Sequence, residues 1–233
     1  MKFLRPAFII IILSGLIGCI GAKSSSSNPP ESRVASARNE NAVLKQLRPV
    51  LKSAGKAARI YYLGACEEGA GTPMPFPEID VQEPLAGLTG ETAVRAIFRN
   101  DTDVSVTEGR SGIIAIKIGK LPTEILTVRM SELRLKPIEQ YNPTLAIFAI
   151  ENSKDVNAAM RQRNIQPVMV ITDLGVVQPT KGFPHLPPSI RNATVDQALD
   201  TIAKTFMGIV LYGACDNQYL IEFGHVLPDF GGS

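Results

Sequence analysis

The sequence predicts an α+β protein: two related helix-plus-β-hairpin modules, βαββ-like, with a helical insert between them. Three observations carry this prediction. Shifting the chain by 105 residues lays Thr89 to Gly119 on Thr194 to Gly224 without a gap, with Ala93 on Ala198, Ile97 on Ile202 and Ile116 on Ile221. The apolar pattern follows the same shift, Val94 falling on Leu199, Val104 on Ile209, Val106 on Leu211 and Ile118 on Phe223. Two β-prone runs, Ile60 to Cys66 and Ile209 to Cys215, both turn at Gly-Ala-Cys, so two strands that end alike are expected side by side.

The chain opens with Lys2 and Arg5 ahead of an apolar run from Ala7 to Ile17. A positive start followed by about 11 apolar residues is the pattern of an export leader, and it falls short of the roughly 20 residues that a membrane span needs. Leu16-Ile17-Gly18-Cys19 closes the run and resembles the lipobox of bacterial lipoproteins. That resemblance implies removal of residues 1–18, acylation of Cys19 as the new N-terminus, and attachment to the periplasmic face of a bacterial membrane. The alternatives are ordinary cleavage after Ala22, which removes residues 1–22 and releases a secreted protein, and an uncleaved leader that stays as an anchor.

Residues 19–40 are expected to be a disordered tether. Ser24 to Ser27, Pro29, Pro30, Ser32 and Ser36 leave almost no large apolar side chain there to bury. A flexible spacer of this length reaches roughly 20 to 25 Å.

The first module is placed at 41–120. Val43, Leu44, Leu47, Val50 and Leu51 form one helical face, which Pro49 should kink or restart. Ile60 to Leu63 reads as a strand, Glu67 to Pro77 as a Gly- and Pro-rich loop, and Ile79 with Val81 as the start of another strand. Thr89 then opens a helix, and Val104-Ser105-Val106 with Ile114 to Ile118 makes a hairpin around Gly109 to Gly112.

The insert, 121–166, is read as mainly helical. Asn142 and Pro143 supply an N-cap and first-turn pair for Leu145 to Ile150, and Ser153 caps a helix with Val156, Ala159 and Met160 inward. Leu126 to Leu135 alternates like a strand early and is spaced like a helix late, so both readings stay open.

The second module, 167–226, begins with a buried strand over Val168 to Ile171. Thr194 and Gln197 stand at capping-box spacing, and Val195, Ala198, Leu199, Ile202, Ala203 and Phe206 share one helical face. Gly208 ends that helix, Ile209 to Tyr212 and Tyr219 to Phe223 form a hairpin, Gly213 to Asn217 makes the turn, and 227–233 is a tail.

The stretch Pro187 to Ala203, in which a strand leads into a Thr-x-x-x-Ala-Leu-x-x-Ile-Ala helix, together with its hairpin, resembles the short N-terminal domain of bacterial secretins and TonB-dependent receptors. The resemblance implies a periplasmic interaction and signalling module without catalytic residues. Neither a β-barrel nor a secretin core follows, so an unidentified envelope protein is the expected partner, engaged in trans.

Of three cysteines, lipidation or loss of Cys19 leaves Cys66 and Cys215 as an even pair in an oxidising compartment. A disulfide between them closes most of the domain into one loop, worth about 4 to 5 kcal/mol in the chain-entropy description. Two independently buried thiols are the alternative. Lys and Arg number 24 against 22 Asp and Glu, and loss of Lys2 and Arg5 levels the two counts. No basic stripe interleaved with aromatics points to nucleic acid.

No catalytic residue, metal-ligand set or cofactor motif is predicted. His185 and His225 lie among prolines and glycines without zinc spacing. Gly109-Arg110-Ser111-Gly112 reads as turn chemistry rather than a nucleophile elbow, and adjacent Glu67 and Glu68 as a solvated pair. Three function classes follow. The first is a lipid-anchored, non-catalytic envelope interaction module. The second is an extracytoplasmic hydrolase using Glu67, His185 or His225, and the third a structural subunit that self-associates through its repeat.

Overall fold

A computed structural model describes residues 31–64, 74–109, 111–121, 123–168 and 182–226. The leader with Cys19, most of the tether, Cys66, Glu67, Glu68 and the tail lie outside the described residues. The chain is mixed α+β, with six helices and two sheets among those residues.

A 24-residue helix, α1 (Glu31–Ala54), comes first. It begins inside the stretch that composition assigns to the tether, and it runs through Pro49 without a break. Pro49 is on the exposed side, while Val43, Leu44, Leu47, Val50 and Leu51 bury the opposite stripe on both sides of it. Burial of that stripe outweighs the one backbone hydrogen bond that the proline removes. Gly55, at φ +61, then turns the chain out of the helix.

Strand β1 (Ala58–Leu63) is the centre of a six-stranded sheet. Then follow α2 (Gly90–Ile97), β2 (Val104–Glu108) and β3 (Ile114–Ile118). Next come β4 (Arg129–Arg134), α3 (Pro137–Tyr141), α4 (Pro143–Glu151), α5 (Lys154–Arg163) and the two-residue β5 (Gln166–Pro167). The C-terminal part contributes β6 (Ser189–Thr194), α6 (Val195–Thr205), β7 (Gly208–Cys215) and β8 (Gln218–His225).

The sheet order is β2-β3-β1-β7-β8-β5. Strand β1 pairs in parallel with β3 from Ala58↔Ile114 to Tyr62↔Ile118, and with β7 from Ala58↔Ile209 to Leu63↔Ala214. The two similar runs do lie side by side, with a register that sets Gly213 beside Tyr62. Central strands are covered on both faces, which is why every residue of β7 is buried. Residues Ile60, Tyr62, Ile209 and Leu211 face α1 and α2, whereas Tyr61, Val210 and Tyr212 face the side that carries α4, α5, α6 and the β4–β6 ribbon.

Several expectations change. Both helix–hairpin units form, but their four hairpin strands join one sheet around β1. The strand ahead of the second helix, β6, leaves that sheet to pair antiparallel with β4. No strand forms over Ile79 and Val81. Pro75, Pro77 and Pro84 remove ladder donors on either side, and the segment is tied to α2 by Gln82 N–H donating to Ile97 O at 2.8 Å. In the ambiguous Leu126–Leu135 stretch the early part, which alternates like a strand, is a turn at Leu126 and Thr127, and the later part, which is spaced like a helix, forms strand β4, so the insert is not purely helical. The expected strand over Val168 to Ile171 is described only at Val168, whose N–H donates to Tyr219 O at 2.7 Å, and the rest lies outside the described residues. The second hairpin turns later than expected, because β7 runs on through Cys215.

The caps follow the sequence closely. Thr194 and Gln197 complete their capping box, and Asn142 and Ser153 accept from Leu145 and Val156. Thr89 makes no side-chain cap.

Candidate functional site

The densest polar cluster is built on Arg59, the second residue of β1. It stands on the α6 side of a strand that is otherwise apolar or aromatic and is 7 % exposed. A buried guanidinium needs carboxylates, and α6 supplies two at i, i+4, a spacing that puts Asp196 and Asp200 on one face. Arg59 Nη1 donates to Asp196 Oδ1 and to the Asp196 carbonyl, both at 2.6 Å, and Nη2 donates to Asp196 Oδ2 at 3.3 Å. Its Nε is ion-paired with Asp200 Oδ1 at 2.8 Å, in an alignment that is not a hydrogen bond.

Neighbouring groups complete the cluster. Tyr61 donates its hydroxyl to Asp196 Oδ1 at 2.8 Å, and its ring centroid lies 5.1 Å from the Arg59 guanidinium carbon. Ser111, in the β2–β3 turn, donates to Asp200 Oδ2 at 3.3 Å. Burial pushes the Asp200 carboxyl above its usual range, and Arg59 opposes the rise. The Tyr61 hydroxyl is also pushed up, mainly by burial. Arg59 thus spends its donors inside the protein, and the cluster fastens β1, the first hairpin turn and α6 together. It offers no free electrophilic fork to a substrate.

Of the residues named for a hydrolase, His185 and His225 do not join this cluster, and Glu67 lies outside the described residues. His185 stacks on Tyr141 with ring centroids 5.2 Å apart and has Nδ1 3.2 Å from Phe183 O, while His225 ends β8 edge-on to Phe223 at 5.0 Å. Among the described residues no group of three or more His, Cys, Asp or Glu side chains is placed to hold a metal ion. Gly109 and Gly112 form the β2–β3 turn, with Gly112 N–H donating to Gly109 O at 2.9 Å. Cys215 is buried at the end of β7. None of the described helices is long and apolar enough to cross a membrane.

Strand edges form the other candidate surface. On β2, Glu108 N–H donates to the Glu91 carboxylate of α2 at 3.0 Å, and Val104 N–H reaches Asp101 O at 3.5 Å. On β4, Ser131 N–H donates to the Asp155 carboxylate of α5 at 2.8 Å. Arg95 first, then the Glu108 N–H, hold Glu91 below the usual carboxylate range, and the Ser131 N–H and hydroxyl do the same for Asp155. Strand β6 has β4 on one side and, among the described residues, no strand on the other.

No family model, curated protein or solved structure matches this chain. Its chemistry therefore rests on its own geometry. Sequence patterning missed both surfaces. The available signals were a lone arginine within the apolar run Ala58 to Leu63, and Asp196 and Asp200 four apart on one helix.

Proposed function

We propose that this chain is an exported, lipid-anchored cell-envelope protein that works as a non-catalytic protein-interaction module, accessory to a secretion, transport or signalling assembly. The observation that carries this reading is the open edge of the β4–β6 ribbon. One helix carboxylate accepts from an edge N–H of β2 and another from an N–H of β4, whereas β6 has no strand on its other side among the described residues. An exposed edge is a template for another chain, and proteins that do not use one block it. The leader and the Leu16-Ile17-Gly18-Cys19 tetrad support the address.

Two structural readings belong with it. The helix–hairpin units are duplicated modules that merged into one sheet, supported by the matching element order after Thr89 and after Thr194. Cys66 pairs with Cys215, supported by Gly64 N–H donating to Ala214 O at 2.9 Å, which sets Gly64 beside the last residues of β7.

The test is fractionation and affinity capture from native membranes, comparing the wild type with Cys19→Ser. Transfer of the variant to the soluble fraction, with partners still captured, supports anchoring and docking as separate functions. Membrane association that survives Cys19→Ser refutes the anchor. A wild type that captures no envelope protein refutes the module.

A further inference from the structure

Resting on that interaction-module reading, we propose that the outer edge of β6 accepts an extended acidic peptide segment of a partner protein as an added strand. The first support is the contrast between edges. The β2 edge meets Glu91 and the β4 edge meets Asp155, so an incoming strand there displaces a helix carboxylate from a backbone N–H. On β6 the described side-chain caps fall at its C-terminal end, where Thr194 N–H donates to Gln197 Oε1 at 2.9 Å and the Asn192 carbonyl accepts from Arg129 at 3.1 Å.

The second support is charge. Strands β4 and β6 carry Arg129, Arg134 and Arg191 against one acid, Glu132. Glu132 accepts from Arg134 Nε at 2.8 Å and from Arg191 Nε at 3.0 Å, so one carboxylate fixes two guanidinium groups side by side. Both bonds use Nε, and the two arginine side chains remain 82 % and 70 % exposed. The paired Nη groups face water as forks suited to carboxylates. Lys136, which follows β4, adds a cation that is 79 % exposed.

These features specify the partner. Alternate residues of a strand lie about 6.6 to 6.8 Å apart on one face, within reach of Arg191 beside the added strand and of Arg134 one strand further in. Main-chain bonds to β6 supply pairing, and the arginines select acids at alternate positions.

The test uses the full chain carrying Cys19→Ser and fluorescent nine-residue peptides. One alternates Glu with Val, a second alternates Lys with Val, and a third is the Glu-Val peptide with a central proline. Binding of the Glu-Val peptide, loss of binding with the proline peptide, and about tenfold or greater weakening by Arg134→Glu with Arg191→Glu support the inference. The charge-preserving pair, Arg134→Lys with Arg191→Lys, should bind more tightly than the reversed pair. Equal binding of the Glu-Val and Lys-Val peptides overturns the inference, as does indifference to charge reversal. Binding to phosphatidylglycerol vesicles in the absence of peptide binding also overturns it and assigns the arginines to lipid. Failure of the peptide while envelope partners are still captured removes the β6 site and leaves the broader reading standing.

Discussion

Replacing Glu222 by Gln should stabilise the protein at alkaline pH and leave it nearly unchanged at acid pH. Glu222 lies on β8 on the face that packs against α1, opposite Leu211. Burial, and secondarily the nearby Glu40 of α1, push its carboxyl up to about 7 from 4.5. Glu40 is itself raised by burial and held down by Arg48, and Tyr62 of β1 faces both acids. A folded state that keeps this proton while the unfolded chain has lost it binds more protons between those values, so stability falls as pH rises from 4.5 to 7. At about 1.4 kcal/mol per pH unit the full loss is on the order of 3 kcal/mol, and partial contact with water reduces it to about 2. Glutamine keeps the shape without the ionisation. Urea unfolding at about pH 4.5, 6, 7 and 8 should show a gain of about 2 kcal/mol at the alkaline end that vanishes at the acid end. Glu151 is also pushed up to about 7 by burial, so Glu222→Gln with Glu151→Gln should flatten the pH profile further than Glu222→Gln alone. A gain equal at both ends of the range, or a loss at the alkaline end, refutes the argument.

Two further perturbations test the packing. Arg59→Leu leaves Asp196 and Asp200 without their shared cation and should cost about 3 to 5 kcal/mol, towards the low end because the Asp196 side chain is 39 % exposed. Arg59→Lys, which keeps the charge without the fork, should recover part of that in the same urea titration. Gly208→Ala puts a Cβ 2.0 Å from Phe223 Cζ and 2.9 Å from the Gly224 carbonyl oxygen. Because one of those atoms is backbone, a ring shift cannot relieve the contact, and a loss of about 1 to 3 kcal/mol in thermal unfolding is expected.

Local structure was readable from the sequence wherever one element determines itself. The capping box at Thr194 and Gln197, the caps at Asn142 and Ser153, and both hairpins depend on residues a few positions apart. Features set by distant partners were not readable. The continuity of α1 through Pro49 depends on the sheet beneath it, and the identity of β4 depends on β6, roughly 60 residues further along. The Arg59 cluster joins β1 to a helix residue 137 positions away, and the edge-closing carboxylates Glu91 and Asp155 look like ordinary helix acids until the strand each one caps is known.

The pairing of β1 explains why the two hairpins share one sheet. Each hairpin presents a different strand to β1: the second strand, β3, from the first copy and the first strand, β7, from the second. With both neighbours parallel to β1, the two helices fall on opposite faces, α2 with α1 on one side and α6 on the other. With β3 and β7 on either side β1 is central, so its arginine is buried and must be met from within. The α6 carboxylates do this on the face where Tyr61 also needs an acceptor. The strand ahead of α6 lies outside the large sheet, where β1 already has β3 and β7 beside it, and pairs with β4 instead, so that among the described residues no strand lies on its other side.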